Sequence, residues 1–183
     1  MNEVYMENME TKTNDLLALI KSRKSVRNFV YKKIDNQTIK DILESARWAP
    51  SGRNSQPWKV CIVSHPTVKR LIAEQSKYGG IIESAYLNFV VFLDLERGYD
   101  RTKDVLAVGA FIQNLLLAVH AKGLGAVWIG EILNNKEHVS EIFKLSPEKF
   151  ELMGVLTVGE IDLNLEKKEE RERRALDEFI DWF

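Results

Sequence analysis

Apolar residues recur at helical spacing and at strand spacing by turns, and the switches between the two mark the elements. Leu16, Leu17 and Ile20 follow Thr13, which predicts a capped helix ending near Lys21 or Ser22. Asp35 caps a second helix whose Ile39, Ile42, Leu43 and Ala46 share one face, with Pro50 just beyond its end. Trp58 to Ser64 predicts a strand, apolar on both faces apart from Lys59. Pro66 opens a third helix carrying Val68, Leu71 and Ile72, and Gly79-Gly80 is expected to break it. Tyr86 to Leu93 predicts a buried strand rich in aromatic and β-branched residues. Lys103 to Lys122 is the longest helix and is apolar nearly all round, from Val105 and Leu106 to Leu117 and Val119, with Gly123 as its stop. Ala126 to Ile129 and Leu152 to Val158 predict further strands, and Asn135 caps a helix through Phe143. Asn164 to Arg174 is a charged run, and the chain ends in Phe179, Trp182 and Phe183.

Strands interleaved with helices give an α+β or α/β class with a mixed central β-sheet flanked by helices. With 183 residues and no linker or repeat, residues 1–183 make one domain. Residues 1–12, polar and acidic, are expected to be flexible and carry no signal-peptide core, and residues 160–183 form a C-terminal extension. A helix apolar on every side is more than one domain of this length can cover, which predicts a homodimer.

The remaining composition mostly excludes. A net charge of −1 gives no basic field for nucleic acid and no polybasic patch for a membrane. No apolar run approaches the roughly 20 residues of a membrane span, so a cytoplasmic location is expected. Cys61, the single cysteine, has no partner for an internal disulfide and reads as a buried thiol. His65, His120 and His138 share no metal-ligand spacing with it, so no metal site is expected. No glycine-rich dinucleotide fingerprint, phosphate loop or serine nucleophile elbow is present.

Three stretches carry candidate chemistry. Pro50 to Pro57 joins a helix to a strand through Ser51, Gly52, Asn54, Ser55 and Gln56, with Arg53 as its one ionisable residue. Stiff, small and polar, it suits a planar ligand rich in hydrogen-bonding atoms; it equally suits an ordinary connection built of turn formers. Asn54 and Gln56, two apart in an extended loop, can face one ligand. Arg23, Lys24, Ser25 and Arg27 follow the first helix. If the chain is extended there, residues 23, 25 and 27 share a side, and two guanidiniums with a hydroxyl suit a phosphate. The other reading is a solvated basic turn favoured by the helix end. Gln113 is the polar exception on the long helix, fitted to solvent, to an interface or to a ligand, and Gly130 after Trp128 and Ile129 permits close backbone approach.

Pro50-Ser51-x-x-Asn54-x-Gln56-Pro57-Trp58 resembles the flavin loop of the nitroreductase family, the FMN-dependent NAD(P)H oxidoreductases. Arg23-Lys-Ser-Val-Arg27 is similar to that family's amino-terminal phosphate and ring-binding signature. Gly109 to Leu117 resembles its central helix, and Gly123 to Gly130 the strand that follows. The resemblance implies the nitroreductase-like fold, with FMN at the interface of a homodimer and a C-terminal arm reaching the partner subunit. It assigns Arg23, with Lys24 beside it, to the phosphate, Ser25 to ribityl or ring oxygens, and Arg27 to the ring edge. It sets Pro50, Ser51, Asn54 and Gln56 along the ring, and the Gly130 N–H, flanked by Trp128 and Ile129, against the hydride-accepting nitrogen. Gln113 is a further candidate. A basic pair near the chain end completes the phosphate site, for which Arg171 and Arg173 fit best. Ala107 departs from the family, many of whose members carry an acid there.

The implied reaction is ping-pong hydride transfer from NADH or NADPH to a nitroaromatic, quinone or similar small electron-poor acceptor. No side chain is needed as acid or base, because the cofactor carries the chemistry. A reductive dehalogenase or flavin-modifying enzyme is the alternative within the family. It needs a lid, for which Gln75 to Glu83 or Glu96 to Thr102 can serve, with Tyr78 or Tyr99 reaching in. An FMN storage protein and a cofactor-free dimeric module are the readings from other classes.

Overall fold

A computed structural model describes residues 15–165 and 171–183 of the chain. The expected Thr13 cap, the segment 1–12 and residues 166–170 of the charged run lie outside the described residues.

Residues 15–22 are helical and form α1. Asp35 caps α2 (Asn36–Ala46), accepting the Thr38 N–H at 2.8 Å and its hydroxyl at 2.6 Å. The Asp100 carboxylate likewise accepts the Lys103 N–H at 3.1 Å and opens α5 (Arg101–Ala121). Gly123, at φ +74, lies just past the end of that helix and returns its N–H to the His120 carbonyl. Only glycine takes this left-handed conformation without cost, so the stop is where the sequence predicts it.

The strands are β1 (Phe29–Val30), β2 (Trp58–Val63), β3 (Leu87–Asp94), β4 (Gly125–Ile129) and β5 (Phe150–Ile161). β5 pairs with β3 along one edge and with β4 along the other, while its last two residues pair with β1. β2 closes the sheet outside β3. Helices between strands point to parallel neighbours and hence to a mixed sheet, yet every pairing among the described residues is antiparallel. The reason is a strand insertion. α5 carries the chain from β3 to β4, which run the same way, and β5 then lies between them, antiparallel to both.

Both faces of the sheet are covered, which is why β3 is apolar without a break from Phe89 to Leu93. Phe89, Val91 and Leu93 pack with α2 and α5 on one face; Val90 and Phe92 pack with α3 (Pro66–Ala73) and α6 (Lys136–Ile142) on the other. Gly79 opens a further helix, α4 (Gly79–Ser84), instead of merely breaking α3. A Cβ on Gly79 would stand 2.5 Å from the Ala73 carbonyl oxygen, so glycine is what lets the chain turn back this closely. Lys69, buried in α3, donates to the Glu83 carbonyl at 2.7 Å and to that of Ala85, tying down the end of α4.

α5 is long and apolar enough to cross a membrane by length and composition. Its Val108, Phe111, Ile112, Leu115 and Val119 are instead core residues against the sheet, and Leu106 on the far side is 69% exposed.

One buried polar pair fixes the register of β3 on β5. The Thr157 hydroxyl donates to Asn88 Oδ1 at 2.7 Å, and Asn88 Nδ2 donates to the Ile82 carbonyl at 3.1 Å; both residues are fully buried. Thr157→Val strips this acceptor of its partner in a site closed to water. It is expected to cost about 1–3 kcal/mol in urea unfolding, and a loss under a few tenths of that would show the pair to be dispensable.

Candidate functional site

Three guanidiniums converge where α1 ends. Arg171 donates to the main-chain carbonyls of Lys21 and Arg23, bringing the C-terminal segment onto the Arg23 stretch. Burial, then the fields of Arg171 and Arg173, hold the Arg23 pKa below its ordinary value. Among the described residues, no carboxylate pairs with any of the three. Like charges gathered without a counter-ion are the chemistry of an anion site.

His120, on the last turn of α5, belongs to the same cluster. Its Nε2 lies 2.8 Å from the Ser22 hydroxyl, and burial followed by the Arg23 and Arg171 charges lowers its pKa. From the sequence its place at a helix end accounts for it. Its nearness to Arg23 is a long-range contact, and no local signal announces it.

The Arg23–Arg27 stretch is fixed by Val26, which is buried and gives its N–H to the Ala126 carbonyl of β4 at 2.9 Å. The expected alternation holds only in part. Strand pairing begins at Phe29, and Lys24 lines the same recess as Arg23, together with Leu116 and His120. Ser25 and Arg27 are exposed. Arg27 opens onto a different cavity, of about 430 Å³, that it shares with Lys77, Tyr78 and Ser84. Lys77 is thus a second cation at that edge, which sequence spacing does not reveal. Glu131, just after Gly130, holds the Lys77 segment by accepting from the Ser76 hydroxyl at 2.7 Å and the Lys77 N–H at 3.3 Å.

The Pro50–Pro57 loop is not extended. Gly52–Asn54 form a 3-10 turn, and Arg53, Asn54 and Gln56 are left-handed, with φ of 56, 54 and 48. Left-handed residues other than glycine cost about 1–3 kcal/mol each. The Ser51 hydroxyl accepts the Gln56 N–H at 3.0 Å, and Gln56 Nε2 donates to Asn54 Oδ1 at 3.2 Å. Asn54 and Gln56 therefore bond each other instead of standing side by side on a strand. With Pro50, Ser51 and Trp48 they line an open cavity of about 500 Å³. That cavity and the Arg23 recess are lined by different residues.

Trp128 and Gly130 are exposed, but the Ile129 side chain is buried in the core, leaving only its main chain to a ligand. Gly130 has an ordinary negative φ, and a Cβ built on it meets nothing. Nothing in the described residues requires a glycine there. Gln113 is exposed on the uncovered side of α5, and Ala107 is buried. The described part of the charged run, Arg171–Arg174, is not helical.

A model of the family described as Nitroreductase family matches residues 20–81 and 73–160. The chain belongs to the nitroreductase family. A provisionally named nitroreductase of Desulfovibrio desulfuricans, solved in complex with FMN, has a TM-score of 0.84 at 34% identity, over 91% of this chain and 96% of that one. A Bacillus subtilis protein provisionally named NAD(P)H nitroreductase YfhC is 35% identical over 138 residues, 65% of this chain and 71% of its own. A Methanothermobacter thermautotrophicus protein provisionally named NADH dehydrogenase/NAD(P)H nitroreductase is 29% identical over 147 residues, 79% of this chain and 76% of its own. The α+β architecture with helices on both faces of its sheet is thus the nitroreductase fold.

His120 reports on the cluster. The folded chain holds its proton more weakly than the unfolded chain does, so its contribution to stability falls as pH drops from the unfolded pKa through the folded one. Arg171→Ala removes a neighbouring cation and is expected to raise the His120 pKa in a proton NMR titration; inorganic phosphate is expected to raise it in the unaltered protein. A pKa indifferent to both would remove the anion site.

Proposed function

We propose that this nitroreductase is an FMN-dependent oxidoreductase that draws electrons from NADH or NADPH and passes them to nitroaromatics, quinones or similar electron-poor acceptors. The observation that carries the reading is the cluster of Arg23, Arg171 and Arg173, which lacks a carboxylate partner among the described residues. A phosphate monoester supplies the charge that this cluster lacks, and guanidinium forks match its oxygens. A bound FMN supplies the hydride chemistry itself. The residues supply position and field. Ser25 stands beside the cluster for ribityl oxygens, and Arg27 with Lys77 raises the electron affinity of a ring set against them. No neighbour crowds the Cα of Gly130, which leaves room for a ring atom to approach its main chain.

The partner subunit supplies the rest. In a homodimer, the Pro50–Gln56 loop of one protomer closes over a flavin anchored by its partner's cations. Two apolar surfaces support this assembly. Leu106 and Leu117 lie on one side of α5 with Gln113 between them, and Leu106 lies open to water. The C-terminal Leu176, Phe179, Trp182 and Phe183 touch no core, with Trp182 93% exposed. The cavity at the loop holds no carboxylate, histidine or cysteine among its lining residues, which suits broad choice of acceptor and no acid–base residue.

The purified protein is expected to be yellow and to release FMN on heating. Anaerobic NADH or NADPH is expected to bleach it within seconds. Arg23→Ala is expected to weaken FMN binding about 10- to 100-fold, the scale of one charge-assisted contact. Light scattering is expected to give twice the chain mass of 21.1 kDa. Failure to take up added FMN refutes the cofactor, and colour that persists under both nucleotides refutes the reductase.

A further inference from the structure

The loop expected to lie along the flavin ring is strained at Arg53, Asn54 and Gln56, and its internal bonds run from the Asn54, Ser55 and Gln56 N–H groups to Ser51 and Gly52. What sets the loop against the rest of the fold is the turn between β3 and α5. Tyr99 lays its ring against Gly52: a Cβ on Gly52 would stand 2.0 Å from the tyrosine hydroxyl oxygen and 2.5 Å from its ring. Gly52 is therefore a recess that Tyr99 fills. The Arg53 guanidinium lies 4.6 Å from the centre of the same ring. Arg97 of the same turn donates to the Ser55 carbonyl at 3.3 Å.

Tyr99 is itself anchored. Asp104, on the first turn of α5 and 2% exposed, accepts the Tyr99 N–H at 2.8 Å and the Asp100 N–H at 2.9 Å. The turn closes so tightly on this carboxylate that a Cβ on Gly98 would stand 2.5 Å from its oxygen. Among the described residues, the buried side-chain atoms with no hydrogen-bond partner are Ser55 Oγ and Asp104 Oδ1, one at each side of this junction. The loop therefore meets the turn through the Arg97–Ser55 bond and through the packing of the Tyr99 ring on Gly52 and Arg53.

We propose that Tyr99, held by Asp104, is a positioning residue that sets how closely the Pro50–Gln56 loop meets the flavin; this rests on the FMN reading above. Tyr99 is then not a lid that reaches to the acceptor. Its ring packs on the main chain of Gly52, and it acts through the loop.

A double-mutant cycle tests this. Gly52→Ala, Tyr99→Ala and the pair are compared with Tyr99→Phe, reading FMN affinity by fluorescence, kcat and KM with 1,4-benzoquinone, and thermal midpoint. Gly52→Ala drives the ring out, and Tyr99→Ala removes it. Each is expected to lower kcat about 10- to 100-fold, as misplacement of a reacting group does. The double variant is expected to be no worse than Tyr99→Ala alone, because the added methyl then meets no ring. Tyr99→Phe keeps the ring and is expected to retain most of kcat. Independent losses that multiply in the double variant would overturn the proposal. So would an unchanged kcat with a lowered thermal midpoint, which marks mere packing. A Tyr99→Phe loss equal to that of Tyr99→Ala would overturn it as well, since the hydroxyl would then act directly. The unaltered protein in the same titration tests the cofactor separately, and its failure to bind FMN would overturn both readings.

Discussion

β5 is bonded along both edges, and every segment of the candidate site hangs from that double engagement. On one edge, β4 delivers Trp128 and Gly130 and, through the Ala126 carbonyl, fixes Val26 and so the Arg23–Arg27 stretch. On the other edge, β3 ends at Asp94, whose N–H takes the Pro57 carbonyl at 3.0 Å and fastens the exit of the Pro50–Pro57 loop. Net stabilisation from each such bond is small, but buried main-chain groups left unpaired are costly, so the arrangement holds as a whole or not at all. The Asn88–Thr157 pair makes it specific, since a register slip would bury both groups without partners.

Electrostatics then gives this frame its chemistry. Arg23, Arg171 and Arg173 come from opposite ends of the chain, so a fold had to form before their charges met. The Arg171 bonds to the Lys21 and Arg23 carbonyls favour that meeting while mutual repulsion opposes it, and the pKa of His120, lowered first by burial, is lowered further by the same positive field. A cluster of this kind persists in a fold when an anion repays it. In the function proposed above, that anion is the phosphate of FMN.

Much of this was legible in the sequence, and what escaped it has one physical cause. Asp35, Gly123 and the apolar runs act on their near neighbours, so their elements stand where spacing puts them. The short motifs at Arg23–Arg27 and Pro50–Trp58 were legible for the same reason. What could not be read are contacts between distant parts. The insertion of β5 between β3 and β4 makes the sheet antiparallel. Arg53 and Gln56 are not residues that local preference would send to the left-handed region; Tyr99, far along the chain, packs where they bend. His120 was explicable by its own helix and so concealed its second neighbour.

The aromatic end of the chain has a consequence for its life in the cell. A single folded copy holds Leu106, Leu176, Phe179 and Trp182 out to water. Apolar surface of that kind is either covered or becomes a nucleus for aggregation. In the homodimer proposed above, covering that surface requires two copies to meet, and the step is bimolecular. Slower synthesis would then leave each copy longer in its most vulnerable form.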